Sequence, residues 1–106
     1  MCGFFASFTN QKISSELTKK ALDSMHSRGP DGEGEWTEDS VYLGHKRLAI
    51  LDVNSRSSQP MKSKCGRYVI AFNGEIYNFR DLRKNLESRG VLLNTTSDTE
   101  VILELF

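Results

Sequence analysis

The dipeptide Asn73-Gly74 limits the possible folds of this chain because it directly joins two β-prone runs. Residues 67–72 are rich in β-branched and aromatic side chains, and Ile76 and Tyr77 follow the dipeptide closely. A strand, Asn-Gly and a second strand form a strong hairpin signal, since a type I′ turn needs positive φ at both central residues. The sequence therefore predicts an antiparallel hairpin at this point.

Further strands are expected from apolar and β-prone runs at residues 2–8, 35–37, 41–51 and 91–93. Asp39-Ser40 is predicted to be the turn between the second and third of these runs. Residues 28–34 (RGPDGEG) are predicted as a loop because one proline and three glycines interrupt any regular element. Residues 52–66 are polar and lack a period, which leaves two interpretations open, an irregular functional loop or a simple linker.

Capping residues predict the starts of three helices. Ser14 and Ser15 can cap a helix that runs through about residue 27, because a serine hydroxyl accepts from the free amides of the first turn. Asn78 begins a second helix, which Gly90 closes. The sequence SDTE at 97–100 is a capping box and begins a third helix. This helical pattern still continues at the last residue, so we expect the chain to be part of a longer polypeptide with an α+β fold.

Composition and charge exclude several classes of protein. Fourteen Lys and Arg residues balance fourteen Asp and Glu residues, so the chain has no overall attraction to nucleic acid or to an anionic membrane. No apolar run approaches the roughly 18 residues of a membrane span, and no basic region begins a signal peptide. Two cysteines are too few for a disulfide-built fold. We expect one cytoplasmic domain with no nucleic-acid or membrane partner.

Cys2 is a candidate nucleophile if Met1 is removed. The same residue would then carry a thiol and a free α-amine, and because α-amines titrate at about pH 7.7–8.0 the amine could accept the thiol's proton. Threonine nucleophiles that are activated by their own N-terminal amine use the same arrangement. The alternative is that Cys2 is simply a small buried apolar residue, and position alone favours that alternative.

Four other residues could bind parts of a substrate. Arg47 could hold a carboxylate with its planar fork, although a surface salt bridge is the commoner use of an arginine. Asn73 and Gly74 offer a side-chain amide and an unhindered backbone N–H, which are donors that stabilise an oxyanion; a plain hairpin turn is the compatible alternative. Asp98 could pair with an ammonium group or could simply compensate the helix dipole.

The remaining motifs give no sign of a metal or nucleotide site. Cys2, His26, His45 and Cys65 are possible ligands, but their spacing matches no short zinc motif. The chain has no glycine-rich phosphate loop of the Walker or dinucleotide type. We therefore expect neither a bound zinc ion nor a bound nucleotide.

Six motifs occur in an order that resembles a known family. They are MCGFFASF, SRGPDGEG, GHKRLAILD, SSQPM, FNGEIYNF and SDTEVILELF, and together they extend over the whole chain. The chain resembles the N-terminal glutaminase domain of class II glutamine amidotransferases. Within that family, the wording RGPD and GHKRLAI is most similar to glutamine-hydrolysing asparagine synthetase.

The resemblance implies a fold and a set of site residues. The implied fold is the Ntn-hydrolase α/β/β/α sandwich, of which residues 1–106 would form only the N-terminal part. Two departures concern packing rather than chemistry: Ser27 stands where the family usually has histidine, and Ala6 where glycine is frequent. The positions that match functional residues of the family are the nucleophile Cys2, the carboxylate-binding Arg47, the oxyanion-hole residues Asn73 and Gly74, and Glu75 and Asp98 near the substrate ammonium.

The resemblance also implies an activity and partners. The activity is hydrolysis of glutamine to glutamate and ammonia through a cysteine thioester, with the ammonia passed to a C-terminal synthetase domain that this chain lacks. No cofactor is expected in this segment, since ATP and Mg would belong to the synthetase domain. An incomplete sandwich exposes an apolar sheet face and strand edges, so residues 1–106 alone are expected to be poorly stable, to form a homodimer through that face, or to be part of a larger polypeptide. The alternative is a non-catalytic truncated fragment that retains the fold for self-association or regulation.

Overall fold

The computed structural model describes residues 2–48 and 57–106, which combine helices with antiparallel strands. This confirms the expected α+β class, while the four-layered sandwich stays a prediction. No helix in the described ranges is long and apolar enough to cross a membrane. The elements, in chain order, are β1 (Gly3–Phe8), α1 (Ser15–Ser24), a 3₁₀ turn (His26–Arg28), β2 (Gly32–Glu38), β3 (Val41–Arg47), β4 (Met61–Lys62), β5 (Val69–Ile70), α2 (Phe79–Ser88) and α3 (Asp98–Leu105).

The main sheet has three antiparallel strands in the order β1-β3-β2. Strands β2 and β3 form a hairpin whose turn is Asp39-Ser40, as predicted, and Asp39 adopts the left-handed conformation with φ of 51°. Strand β2 begins at Gly32, inside the segment that was expected to be a loop, because its backbone pairs with the end of β3. The predicted continuation of β3 through residues 49–51 lies outside the described residues.

The two faces of the central strand β3 have different surroundings. Tyr42 and Gly44 lie on the face that packs against α1, where Leu22 is buried at 1% exposure. His45 and Arg47 lie on the opposite face, because successive strand residues alternate between faces. One face therefore supplies the core beneath α1, and the other is available for a site.

The helices begin near the predicted residues, but two of the expected caps are absent. Ser14 and Asn78 occupy the N-cap positions of α1 and α2, yet neither side chain accepts a capping hydrogen bond. Helix α1 ends at Ser24, and the 3₁₀ turn accounts for the rest of the predicted length. Gly90 follows α2 with φ of 84°, which confirms it as the residue that closes this helix.

Helix α3 has only half of the predicted capping box. The Ser97 hydroxyl accepts from the Thr99 amide at 3.0 Å, as expected. Glu100 does not return to the Ser97 amide; its carboxylate accepts instead from the amides of Asn94 and Thr95 at 2.8 and 2.7 Å. Because the acid is buried, it binds the nearest backbone donors of the preceding loop.

The predicted Asn73-Gly74 hairpin is wrong. Neither residue has a positive φ, and Ile76 and Tyr77 form no strand. The physical reason is that Phe72 and Ile76, the residues on either side of the Asn73–Glu75 segment, donate their backbone N–H groups to distant side chains, so these donors cannot form a hairpin ladder.

The short strands near this segment also differ from expectation. Strand β5 pairs with β4, which lies inside the segment that was predicted to be irregular. Residues 67–72 therefore contribute only a two-residue strand, Val69–Ile70. Residues 91–93, predicted as a strand, form none.

Candidate active site

A cavity of about 390 Å³ lies where the end of β3, the segment after β5 and the first turn of α3 meet. This volume suits a small-molecule ligand. Residues distant in sequence meet here, and all six candidate site residues are among those that line the cavity: Cys2, Arg47, Asn73, Gly74, Glu75 and Asp98. Their assembly at one cavity is observed, whereas their individual roles stay predictions.

The sulfur of Cys2 is held at the end of β3. The Leu48 amide donates to Sγ at 3.2 Å, and the thiol can donate to the Leu48 carbonyl at 3.5 Å. The Arg28 guanidinium donates through Nε to the Cys2 carbonyl at 3.5 Å. The half-buried thiol therefore lies beside the residue that follows Arg47, and a backbone N–H is aimed at its sulfur.

Arg47 is the last residue of β3, and its backbone is fixed by the RGPD segment. The Asp31 amide donates to the Arg47 carbonyl at 2.9 Å, and Pro30 forms an isolated parallel bridge with Arg47. These contacts explain locally why a proline-containing loop precedes β2. They fix the position from which the half-buried Arg47 side chain enters the cavity wall.

The segment Asn73–Glu75 passes over the ring of Phe72. A Cβ atom on Gly74 would lie 2.7 Å from Cζ of Phe72, so any other residue here would force the ring or the segment to shift, although the backbone needs no positive φ. Asn73 is half-buried, while Gly74 and Glu75 are exposed at the cavity. The segment can present an amide side chain and backbone N–H groups to a bound molecule.

Asp98 is the first residue of α3 and is only 5% exposed. Its Oδ2 accepts a hydrogen bond from the Ile76 amide at 3.0 Å. Within the described part of the chain, the cavity wall thus combines the guanidinium of Arg47 with the carboxylates of Asp98 and Glu75. This charge pattern is complementary to a zwitterion.

His45 is a cavity residue that was considered only as a metal ligand in the sequence. It is 1% exposed, and among residues 2–48 and 57–106 neither ring nitrogen finds a partner with hydrogen-bonding geometry. Burial lowers the pKa of His45, the nearby Phe72 carbonyl opposes this shift, and the charge of Arg47 reinforces it. The imidazole is therefore neutral near pH 7. The i, i+2 spacing of His45 and Arg47 in a predicted strand was the signal that both share a face.

Gln59 is a second cavity residue; the resemblance implied that residues 52–61 form a loop that shapes the pocket, without a single catalytic role for Gln59. Its side chain contacts Phe72 and Thr99, which are 13 and 40 residues away, so no local pattern could reveal it. Within residues 2–48 and 57–106, no group of three or more His, Cys, Asp or Glu side chains could hold a metal ion.

The fold and the cavity define a small α+β domain in which a guanidinium, two carboxylates and a thiol line one cavity. The chain belongs to the glutamine amidotransferase domain family, whose model matches residues 1–106, and this confirms the resemblance noted in the sequence. The relatives are named as glutamine-hydrolysing asparagine synthetases, and this chain corresponds to their amidotransferase part.

Three of these relatives match the chain over its entire length. The identity is 40% to asparagine synthetase 1 of Bacillus subtilis, 42% to asparagine synthetase B of Escherichia coli and 38% to asparagine synthetase 1 of Saccharomyces cerevisiae. The matched regions are 17%, 19% and 18% of those proteins, respectively. The chain therefore spans less than a fifth of the length of these three relatives.

Proposed function

We propose that this chain hydrolyses glutamine to glutamate and ammonia, with Cys2 as the nucleophile after removal of Met1. One observation carries the proposal: the Cys2 thiol, Arg47 and Asp98 line the same small cavity. An amino acid that binds there has a cation for its carboxylate and an anion for its ammonium group. Its side chain is then free to reach the sulfur.

The charged residues bind the α-carbon end of glutamine. Arg47 pairs with the α-carboxylate through its bidentate fork, and Asp98 pairs with the α-ammonium group. Glu75, exposed at the cavity, adds a second negative charge near the ammonium group. Because both charges of the substrate are matched, its orientation is fixed and the carboxamide is directed to Cys2.

The reaction takes place at the carboxamide carbon in two stages, formation of a thioester and its hydrolysis. The sulfur of Cys2 bonds to this carbon while the thiol proton passes to the α-amine of the same residue. Asn73 and Gly74 donate hydrogen bonds to the resulting oxyanion. Collapse of the tetrahedral intermediate breaks the C–N bond. The leaving nitrogen takes the proton from the α-ammonium group of Cys2 and departs as ammonia. Water then adds to the thioester, and glutamate leaves as the sulfur regains its proton.

We further propose that these residues are the N-terminal part of an Ntn-type sandwich in a longer cytoplasmic protein. The similarity to much longer synthetases supports this. A C-terminal domain using ATP and Mg would consume the ammonia to amidate aspartate or another carboxylate. Residues 1–106 on their own would form a homodimer through the sheet face that an incomplete sandwich exposes.

Intact mass and glutaminase activity test the proposed function on the complete polypeptide. We expect a mature protein without Met1 and release of glutamate from glutamine. Cys2→Ala should reduce this release to background, because it removes the attacking atom. Cys65→Ala is the matched control and should retain activity, because Cys65 is exposed in the β4–β5 connection. A retained Met1 would favour the non-catalytic alternative, and similar glutamate release from Cys2→Ala and the parent would exclude the cysteine mechanism.

A further inference from the structure

The side chain of Gln59 joins two parts of the cavity wall. Its Oε1 accepts from the Phe72 amide at 2.6 Å, and its Nε2 donates to the Thr99 hydroxyl at 3.1 Å. A backbone N–H can only donate, so the first contact fixes which end of the side-chain amide is oxygen. The residue is 9% exposed, and both of its polar atoms are therefore used within the protein.

These contacts complete a closed set around the Asn73–Glu75 segment. Phe72 directly precedes the segment and is held by Gln59. Ile76 directly follows it and is held by Asp98. Gln59 is itself bonded to Thr99, the neighbour of Asp98 in the first turn of α3. Both ends of the segment are therefore anchored to the same helical turn.

The backbone of Gln59 is supported from the opposite side by Gly34 of β2. A Cβ atom at Gly34 would lie 2.0 Å from the Gln59 carbonyl oxygen and 3.0 Å from its carbonyl carbon. Gly34 is not among the cavity-lining residues. The main sheet thus sets the position of Gln59 through direct backbone contact. Gln59 in turn positions Phe72 through its hydrogen bond to the Phe72 amide.

From this geometry, and resting on the proposed function, we propose that Gln59 is a positioning residue for the oxyanion hole. It determines where the Asn73 amide and the Gly74 N–H stand relative to the sulfur of Cys2. Gln59 acts through Phe72 and is not required to touch a reacting atom. The oxyanion exists only after attack. Displacement of the oxyanion-hole donors therefore destabilises the transition state more than it weakens the binding of glutamine.

Steady-state kinetics on the complete polypeptide provide the first test. Gln59→Met keeps the side-chain length but removes both polar atoms, and we expect kcat to fall about 10- to 100-fold with KM within about 3-fold. Gln11→Met is the matched control, because Gln11 is exposed and lies outside the cavity, and it should retain the parent kcat. Gly34→Ala should resemble Gln59→Met, although Gly34 does not line the cavity.

Thr99 offers a second pair that tests the same contact with less disturbance to folding. Thr99→Val removes the hydroxyl that accepts from Gln59 and keeps the shape, so kcat should fall about 3- to 10-fold. Thr99→Ser keeps the hydroxyl and should restore most of the rate. This pair decides the question if Gln59→Met does not fold.

A γ-aldehyde analogue of glutamine gives a readout that a purely structural role would not change. The thiol adds to the aldehyde carbon, a C–S bond forms and the thiol proton moves to the new oxygen, with no leaving group. That oxygen occupies the proposed oxyanion hole. The affinity of the protein for the aldehyde should fall in Gln59→Met by the same factor as kcat, while the inhibition constant of glutamate stays unchanged.

Several outcomes would overturn the positioning role. These are a parent-like kcat in Gln59→Met, a change confined to KM, an unchanged affinity for the aldehyde when kcat is reduced, or equal rates for Thr99→Ser and Thr99→Val. The proposed function fails separately, through retained activity in Cys2→Ala. An inactive Cys2→Ala together with a fully active Gln59→Met would reject only the inference about Gln59.

Discussion

The carboxylate of Asp98 accepts a hydrogen bond from the backbone amide of Ile76 at 3.0 Å. The acid that is proposed to bind the substrate ammonium group therefore also holds the segment that carries Asn73 and Gly74. Charge and hydrogen-bond acceptance are two separate properties of this carboxylate. Substitutions can separate them.

Asp98→Asn tests the charge alone. Asparagine keeps a carbonyl oxygen that can accept from the Ile76 amide but cannot neutralise an ammonium group. We expect KM for glutamine to rise about 10- to 100-fold, since hydrogen bonds to charged groups contribute about 1.5–3 kcal/mol, with a smaller change in kcat. Asp98→Ala removes both properties and should also lower kcat. An unchanged KM in Asp98→Asn would contradict the ammonium-binding role.

Arg47 should contribute to binding in the ground state and in the transition state alike. Arg47→Ala is expected to raise KM strongly and leave kcat close to that of the parent, as measured by initial rates over a range of glutamine concentrations. Arg47→Lys keeps the charge but loses the planar fork, so its KM should be intermediate. Arg80→Ala, on the exposed surface of α2, serves as the control. A large loss of kcat in Arg47→Ala would instead place Arg47 in the chemical step.

Gly74→Ala should disrupt the proposed oxyanion hole through a steric contact. The added Cβ would lie 2.7 Å from Cζ of Phe72, so the segment or the ring must move. We expect kcat to fall about 100-fold or more, with a smaller change in KM. In Gly32→Ala the nearest contact is an ordinary one, 3.8 Å to Cβ of Arg47, so activity should be retained. Parent-like rates in Gly74→Ala would show that the contact relaxes without moving the donors.

The two serine N-caps provide a matched comparison of stability. Ser97 accepts a capping hydrogen bond from Thr99, whereas Ser14 makes no such bond at the start of α1. Ser97→Ala should lower the free energy of unfolding by about 0.5–2 kcal/mol, and Ser14→Ala by less than about 0.5 kcal/mol. Thermal or denaturant unfolding measures both. Equal losses would mean that the Ser97 hydroxyl adds nothing.

His45 should make the folded protein sensitive to acid. Burial lowers its pKa from the ordinary value of 6.5, so the unfolded chain takes up a proton at a higher pH than the folded protein does. This contribution to stability is fully present above about pH 6.5 and is lost as the pH falls through the folded pKa. In His45→Gln, Tm should therefore decrease less between pH 7 and pH 5. His26→Gln, at an exposed position, should keep the parent slope; identical slopes in all three proteins would exclude the effect.

The sequence predicted the parts of the fold that depend on local preferences. The strand at residues 2–8, the Asp39-Ser40 turn and the three helices lie where apolar runs, turn residues and helix-start residues predicted them, although only Ser97 makes a capping hydrogen bond of the three expected caps. The Asn73-Gly74 hairpin failed because long-range contacts from Gln59 and Asp98 outweigh the local turn preference. A capping pattern also failed in part at Glu100, whose carboxylate binds the preceding loop.

The site was predicted through motifs rather than through geometry. The motif order singled out residues such as Arg47 and Asp98, which do line one cavity. The resemblance placed Gln59 in a loop that shapes the pocket but gave it no single catalytic role, and it did not reveal that His45 shares this cavity, because a histidine in a strand carries no distinctive signal. Only the packing of β2, β3 and α3 shows that these two side chains lie beside the others.

The shared anchor at the first turn of α3 has a consequence for attempts to alter selectivity. Asp98 would bind the α-ammonium group of the substrate. Its neighbour Thr99 is linked by hydrogen bonds through Gln59 to Phe72, which precedes the proposed oxyanion-hole residues. Substitutions that tilt α3 to admit a longer or shorter amide substrate would therefore change substrate binding and kcat together. Independent tuning would have to start from Arg47, whose strand is positioned by the RGPD loop instead.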